Sequence, residues 1–399
     1  MELAQLREQY WRDLFEDCIP FLDRHVVDRV YGGFLCHADR DGTRLSERKE
    51  TWFEGRGIWV YSFLYRNFGR HSHHLEVARK AVEFILGARP EGADALWPDR
   101  LTREGQPLSP ASATIYGDLF IAEGLAEYAC ATGEMRWWEE ARQIVMKCVR
   151  VYQRPAYAPD VVASYRCPKP VRMPGARSQG VAMVLIRVLK QMLEHRGDDA
   201  LQRVLDDAVD AVLNRFYNPA YDLNNELLNH DYTRPAGDLA HFVYTGHAIE
   251  TLWMLADEAL RRGDAGMLEL AAVRFRRHFE VAWDDVYGGV FRGASDIEQN
   301  QWVLDKVLWA QEEALIGALL FWEHLRVGWA RDIFEKTFRY VQSHYPLRSH
   351  GFGYWITSAD RKVTFERHYD RIENYHHPRH LMLNLLALER LIAGGEKIL

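Results

Sequence analysis

The chain has 399 residues, 48% of them hydrophobic, with 57 acidic against 50 basic residues and a formal net charge of −7. This supports a large buried core, gives no electrostatic reason for nucleic acid or an anionic membrane as partner, and no run approaches the roughly 18 apolar residues of a membrane span. The five cysteines, at 18, 36, 130, 148 and 167, form no CxxC pair, which predicts reduced thiols in a cytoplasmic protein rather than a disulfide framework.

In chain order, MELAQLREQYWRDLFED opens an amphipathic helix over 2–25 and has no apolar signal core. A hairpin-like segment follows, Asp28-Arg29-Val30-Tyr31-Gly32-Gly33-Phe34, with a turn at Asp39-Arg40-Asp41-Gly42. The helix predicted over 51–69 carries Trp52, Arg56, Trp59 and Phe63 at i, i+4, i+7 and i+11. An arginine among aromatics is either a structural cation–π pair or a substrate clamp. Helix 72–88 begins beside His71, His73 and His74, which read as solvated. Helices 113–131, 135–152, 178–195 and 199–215 come next. Helix 239–261 places His247, Glu250, Thr251 and Met254 on one side and Ile249, Leu252, Trp253 and Ala256 on the other. Its polar side is either a solvated face or a substrate-facing one.

After helix 264–281, Asp284-Asp285-Val286-Tyr287-Gly288-Gly289-Val290 echoes the first hairpin. Helix 302–326 sets Trp302, Lys306, Trp309 and Glu313 on one stripe, opposite Leu304, Val307, Leu308, Leu315 and Ala318. A water-facing stripe rarely carries two tryptophans, so this one reads as lining a cavity. Helix 328–344 precedes a looser third hairpin copy, Gly351-Phe352-Gly353-Tyr354-Trp355, and a turn at 359–362. The last helix, 377–393, opens on Tyr375-His376-His377-Pro378-Arg379-His380. Proline favours the first helical turn, which puts His376 at the helix start with its side chain free to point inward.

About twelve helices in consecutive pairs, without a Ser/Gly/Pro-rich linker, predict one all-α domain over 1–399. The repeated helix–hairpin–helix unit predicts a closed array of helix pairs, with an open solenoid as the alternative. If the array closes, the hairpins near 31–45, 284–300 and 351–365 form one rim. His247 and His376 then lie within about 15 Å of each other, a span that one sugar and one water can bridge. Two neutral proton carriers around one substrate suit proton transfer at a carbon next to a carbonyl. No HExxH is present and no carboxylate stands at ligand spacing from the C-terminal histidines, so no metal is expected. The chain has no P-loop, GxGxxG or GxSxG.

Six segments in order resemble the N-acylglucosamine 2-epimerase family, which includes cellobiose 2-epimerases and mannose-type aldose–ketose isomerases. They are YGGF at 31–34, TWFEGRGIWVYSFLYRNFG at 51–69, GHAIE at 246–250, WDDVYGGVF at 283–291, KVLWAQEEA at 306–314 and YHHPRH at 375–380. The resemblance runs from about Tyr31 to Leu386. It implies an (α/α)6 barrel with short β-hairpins in the rim loops, and 2-epimerisation of a reducing sugar of the N-acylglucosamine/N-acylmannosamine type without a cofactor. It implies His247 and His376 as the catalytic acid/base pair and Arg56 as the holder of the reacting oxygen. Glu250 and Glu313 are then supporting carboxylates, Trp309 and Trp52 are cleft aromatics, and a homodimer is the expected assembly.

Departures from the family pattern are Tyr244-Thr245 before GHxxE, Leu308-Trp309-Ala310 for a double tryptophan and proline, and a partial match at Arg177-Ser178-Gln179. All lie near the expected pocket, where they bear on which sugar binds. Three other readings compete. An aldose–ketose isomerase on mannose or fructose would use the same residues. An inverting glycoside hydrolase would need two carboxylates about 6.5–9.5 Å apart and would leave the histidines idle. A non-catalytic sugar-binding protein would have no use for both histidines and Arg56.

Overall fold

The computed structural model describes residues 1–158, 160–161, 171–351, 354–356, 359 and 372–399. Helix α1 (Leu3–Arg12) runs through a π-helical stretch, Asp13–Cys18, into α2 (Ile19–His25) as one rod. Then come α3 (Thr51–Asn67), α4 (Ser72–Gly87), α5 (Tyr116–Thr132), α6 (Met135–Tyr152), α7 (Gln179–His195) and α8 (Asp199–Asp210). The remainder are α9 (Thr245–Arg262), α10 (Ala265–Ala282), α11 (Leu308–Leu325), α12 (Gly328–His344) and α13 (His376–Ala393).

Each of α3, α5, α7, α9, α11 and α13 packs against the next, and α13 meets α3 to close the ring. The rod and α4, α6, α8, α10 and α12 each pack outside an inner helix. This is an (α/α)6 barrel, not a solenoid. The two rings differ in sequence as their positions require. Inner α5 is buried at every residue from Asp118 to Ala129. Outer α6 buries Trp138, Ala141, Ile144, Val145, Cys148 and Val151 along one stripe and turns Arg136, Gln143 and Arg150 outward.

The links that enter inner helices repeat one construction. Asp28 accepts the N–H groups of Val30 and Tyr31, and Asp284 those of Val286 and Tyr287. Each aspartate pairs with a lysine just before the next inner helix, Lys49 at 3.1 Å and Lys306 at 2.5 Å. Phe34 N–H donates to Glu54 of α3, as Val290 N–H donates to Gln311 of α11. The glycine pairs between these points take φ of 79° and 75°, then 76° and 83°, which other residues adopt only under strain. Isolated bridges Val27–Phe34, Trp283–Val290 and Pro346–Trp355 extend the repeat to the third copy. Phe352-Gly353 of that copy and most of the 359–362 turn lie outside the described residues, as does Cys167. All three links precede inner helices, so they stand at one end of the barrel.

Two helix starts differ from expectation. The 302–326 helix begins at Leu308, because Gln301–Val303 pairs as a strand with Gly293–Asp296 and Lys306 is drawn to Asp284. The proposed stripe is therefore broken: Trp302 packs on Phe291, with ring centroids 5.6 Å apart. The 239–261 helix begins at Thr245, after a 3-10 turn at Gly237–His241. His74, expected in solvent, is buried, and burial pushes its pKa down to about 4. No described helix is long and apolar enough to cross a membrane.

Candidate active site

A cavity of about 220 Å³ lies where the inner helices begin. Every inner helix reaches it: α3 with Trp52 and Arg56, α5 with Tyr116 and Phe120, α7 with Met183 and Val184, α9 with His247 and Glu250, α11 with Trp309, and α13 with His376. Tyr244, Arg292 and Glu373 complete the wall from the links. The ring of Trp309 stands 5.9 Å from that of His247 and 5.4 Å from that of His376. The two imidazoles are thus no farther apart than the sum of those distances, inside the expected limit. Gly246 permits this arrangement, because a Cβ there would meet the Trp309 ring at 2.6 Å.

Each histidine has its Nδ1 against a carboxylate. His247 Nδ1 is 3.0 Å from Glu226 Oε1, which also accepts from Ser178 Oγ at 3.0 Å. His376 Nδ1 lies 2.5 Å from Glu373 Oε1, off the line of a well-formed hydrogen bond. Arg56 Nη1 donates to that same Glu373 oxygen at 2.8 Å. The guanidinium is sandwiched over Phe120 and Tyr375, 4.0 and 4.8 Å from their ring centres. Among the described residues its buried Nε has no hydrogen-bond partner.

Glu250 lies on the floor, 3.9 Å from His376 Nε2. Arg379 Nη2 donates to it at 2.7 Å and also to Glu313. Trp253 Nε1 donates to the other Glu313 oxygen at 2.7 Å. Burial favours the neutral form of both carboxyls. For Glu250, Arg379 and the two histidines overcome burial and hold its pKa below the ordinary carboxylate value. For Glu313, burial together with the Glu250 charge prevails, and its pKa is pushed up to about 8. One arginine thus serves an ionised and a protonated carboxyl.

Of the seven residues singled out from sequence, His247, His376, Arg56, Glu250, Trp309 and Trp52 line the cavity. Glu313 does not; it is fully buried below Glu250. Trp59, from the α3 stripe, is also in the core, its indole N–H donating to Gln191. Sequence reasoning missed Glu226 and Glu373. Glu373 had a signal, since it stands three residues before His376. Glu226 had none: it stands between two short strands in a polar stretch, and is brought in by the pairing of Arg177–Ser178 with Leu227–Leu228.

The other C-terminal histidines face away from the cavity. His377 Nδ1 lies 2.5 Å from Glu312 Oε1, and His380 joins Tyr10 of α1 at 2.9 Å through Nε2. Burial opposes the Glu312 charge, but His377 overcomes this and holds its pKa down at about 2. Sequence spacing gives no sign of this contact, because Glu312 is distant in sequence and is brought in by the fold. Two buried trios, Glu312–His377–His380 and Glu250–Glu313–His376, bring metal-ligand atoms within 4.8 Å of one another.

The family model for N-acylglucosamine 2-epimerase (GlcNAc 2-epimerase) matches residues 6–378. The chain belongs to this family. Its similarity to the human N-acylglucosamine 2-epimerase is 27% identity over 387 residues, covering 89% of this chain and 84% of that one. The solved cellobiose 2-epimerase of Bacillus thermoamylovorans superposes with a TM-score of 0.81 at 15% identity, covering 96% and 99% of the two chains. A D-mannose isomerase structure gives 0.76 at 15%, covering 98% and 97%. These two structures speak to the fold. Family membership makes the protein an enzyme of the isomerase class.

Proposed function

We propose that the protein is a sugar 2-epimerase of the N-acylglucosamine/N-acylmannosamine type, working by proton transfer between two histidines, with the barrel as one catalytic domain. The observation that carries this reading is the pair of imidazoles on one cavity, each with Nδ1 against its own carboxylate. The Nδ1 bond to Glu226 leaves Nε2 of His247 as the atom that takes or gives a proton, and His376 is assigned the same use of Nε2. The sugar opens to its aldehyde. One neutral histidine removes the C2 proton, and charge moves onto the C1 carbonyl oxygen of an enolate, which is an enediolate where C2 carries a hydroxyl in place of the acylamino group. The other histidine returns a proton to the opposite face of C2. General acid/base transfer contributes roughly 10²–10⁴ in rate, so the anion itself needs stabilising. The buried, unpartnered Nε of Arg56 supports its role as that donor.

Glu226 and Glu373 orient the bases, and Glu250 with Arg379 fixes the floor. Glu313 acts through Arg379 and not on the sugar. Trp309, between the histidines, offers a face for the C1–C2 segment. The same reading carries a small-molecule sugar as partner and a cytoplasmic enzyme; homodimerisation is checked by light scattering.

The test is proton NMR in D₂O with N-acetylglucosamine, N-acetylmannosamine, mannose and cellobiose. Epimerisation with deuterium at C2 supports the proposal, and an aldose-to-ketose product turns it into an isomerase. His247→Asn and His376→Asn should each abolish epimerisation, while the variant that keeps the abstracting base still exchanges the C2 proton. Turnover near normal in both variants would move proton transfer to other groups, with Glu250 the first candidate.

A further inference from the structure

The buried trio Glu312–His377–His380 does not line the catalytic cavity, and nothing in the proton transfer uses it. His377 and His380 stand at i and i+3 near the start of α13, which puts both rings on one face of the helix. Glu312 of α11 meets that face: its Oε1 has His377 Nδ1 at 2.5 Å and His380 Nδ1 at 3.5 Å. All three side chains are at most 3% exposed. One carboxylate oxygen thus draws in two imidazole nitrogens and satisfies one of them. Among the described residues His380 Nδ1 has no hydrogen-bond partner. A buried polar atom left in that state costs free energy, and a cation shared by both nitrogens would remove the cost.

The donor set narrows the ion. Two imidazoles and one carboxylate suit zinc, whereas magnesium and calcium take oxygen ligands. Zinc holds such ligands at about 2.0–2.2 Å, which separates tetrahedral neighbours by roughly 3.4 Å. His380 already stands at that spacing from Glu312, and His377 needs to withdraw by about 1 Å. The other ring nitrogen of His380 lies 2.9 Å from the Tyr10 hydroxyl, which also accepts from Asn384 Nδ2 at 3.0 Å. An oxygen at that place takes the Nε2–H of a histidine that ligates through Nδ1, and so fixes the ring. Tyr10 belongs to the rod, whose π-helical stretch, Asp13–Cys18, packs on α13. Such departures from α geometry recur at functional sites. We infer that Glu312, His377 and His380 form a zinc site, with the second Glu312 oxygen in the fourth position, that ties the start of α13 to α11. The ion clamps the helix start that carries His376 and does not touch the sugar, so the inference stands apart from the epimerase reading.

The test uses the full chain, made without a histidine tag in zinc-supplemented medium and purified through EDTA, which strips surface metal but not an ion enclosed as the chain folds. Elemental mass spectrometry should find about one zinc per wild-type chain and less than about 0.2 in His380→Asn and in Glu312→Gln. His376→Asn, which breaks the other trio, Glu250–Glu313–His376, should keep its zinc. Wild type from zinc-supplemented medium should melt about 3 °C above wild type from zinc-depleted medium, and His380→Asn should show no such difference. No retained zinc in wild type overturns the inference, as does zinc that survives His380→Asn or leaves with His376→Asn. If neither His380→Asn nor Glu312→Gln folds, Co(II) incorporated into wild type and into His376→Asn decides. An intense four-coordinate d–d band in both supports the site; a six-coordinate spectrum, or a band lost with His376→Asn, overturns it.

Discussion

Glu226→Gln isolates what a carboxylate contributes to His247. Glu226 is buried, and its Oε1 takes His247 Nδ1 at 3.0 Å, Ser178 Oγ at 3.0 Å and Gly180 N–H at 3.4 Å. Glutamine keeps an acceptor oxygen for the last two, so the hairpin and the start of α7 should hold. What is lost is the negative charge behind the imidazolium that forms when His247 accepts a proton. A hydrogen bond to a charged group contributes roughly 1.5–3 kcal/mol. If that contribution is made only in the transition state, kcat should fall about 10- to 150-fold. KM should stay within about twofold, because Glu226 does not line the cavity and the lost interaction is absent from the ground state. The assay is initial-rate epimerisation on the substrate identified by NMR. A normal kcat, or a change confined to KM, would refute the idea that this carboxylate supports the base.

Arg379→Met should strip the cation from Glu250 and Glu313 and cost about 3–5 kcal/mol in thermal unfolding; an unchanged melting temperature would sink the account of the barrel floor. Gly133→Ala and Gly289→Ala share a left-handed φ, 76° and 83°, but a Cβ meets open space at the first and Tyr340 at 2.5 Å at the second. The first should cost about 1–2 kcal/mol and the second clearly more; equal losses would refute the packing part. His278 donates from Nδ1 to Arg274 O and accepts the Asn224 N–H at Nε2, which only the neutral ring can do. Burial pushes its pKa down to about 4. The associated stability is complete above the ordinary value near 6.5 and is lost as pH falls toward 4, a loss of about 3 kcal/mol. Urea unfolding of His278→Gln should show a smaller drop from pH 7 to 4 than wild type. Arg56→Lys should slow both directions of reaction alike, because a point charge replaces a planar fork at the oxyanion; an effect on one direction only would argue against that role.

The ring was legible in sequence because burial differs between its two layers. Outer helices such as α6 carry a one-sided apolar stripe, while α5 carries apolar residues on all sides, broken only by Asp118, Glu123 and Glu127 before its last turn. The polar residues of the inner helices were harder to assign. Glu250, Thr251 and Met254 form one face of α9, as expected, yet all three are buried, and the face meets the barrel axis. Periodicity detects a face without saying what covers it. Glu313 was misplaced for the same reason: it shares a helical stripe with Trp309, but one turn farther along α11 that stripe is covered and Glu313 is fully buried. Motif order located His247, His376 and Arg56. It was silent on Glu226, whose approach depends on a contact between segments about 50 residues apart.

The position of the cavity explains why each histidine has its own carboxylate. All six inner helices begin there, so their unpaired N–H groups and partial positive charges converge on one volume. Arg56 adds a full charge. Under the proposed mechanism, that field suits the anion formed at the C1 oxygen. A histidine that removes the C2 proton becomes a cation in this environment. Glu226 sets a carboxylate oxygen against Nδ1 of His247, and Glu373 sets one against Nδ1 of His376. Arg56 shares Glu373 with His376, so under the proposed mechanism the oxyanion donor and one base face the same charge. A neutral substitute at Glu373 should therefore impair His376 and loosen Arg56 together, whereas one at Glu226 should act on His247 alone. If the two substitutions gave the same kcat and KM pattern, the carboxylates would be structural props rather than partners of individual bases.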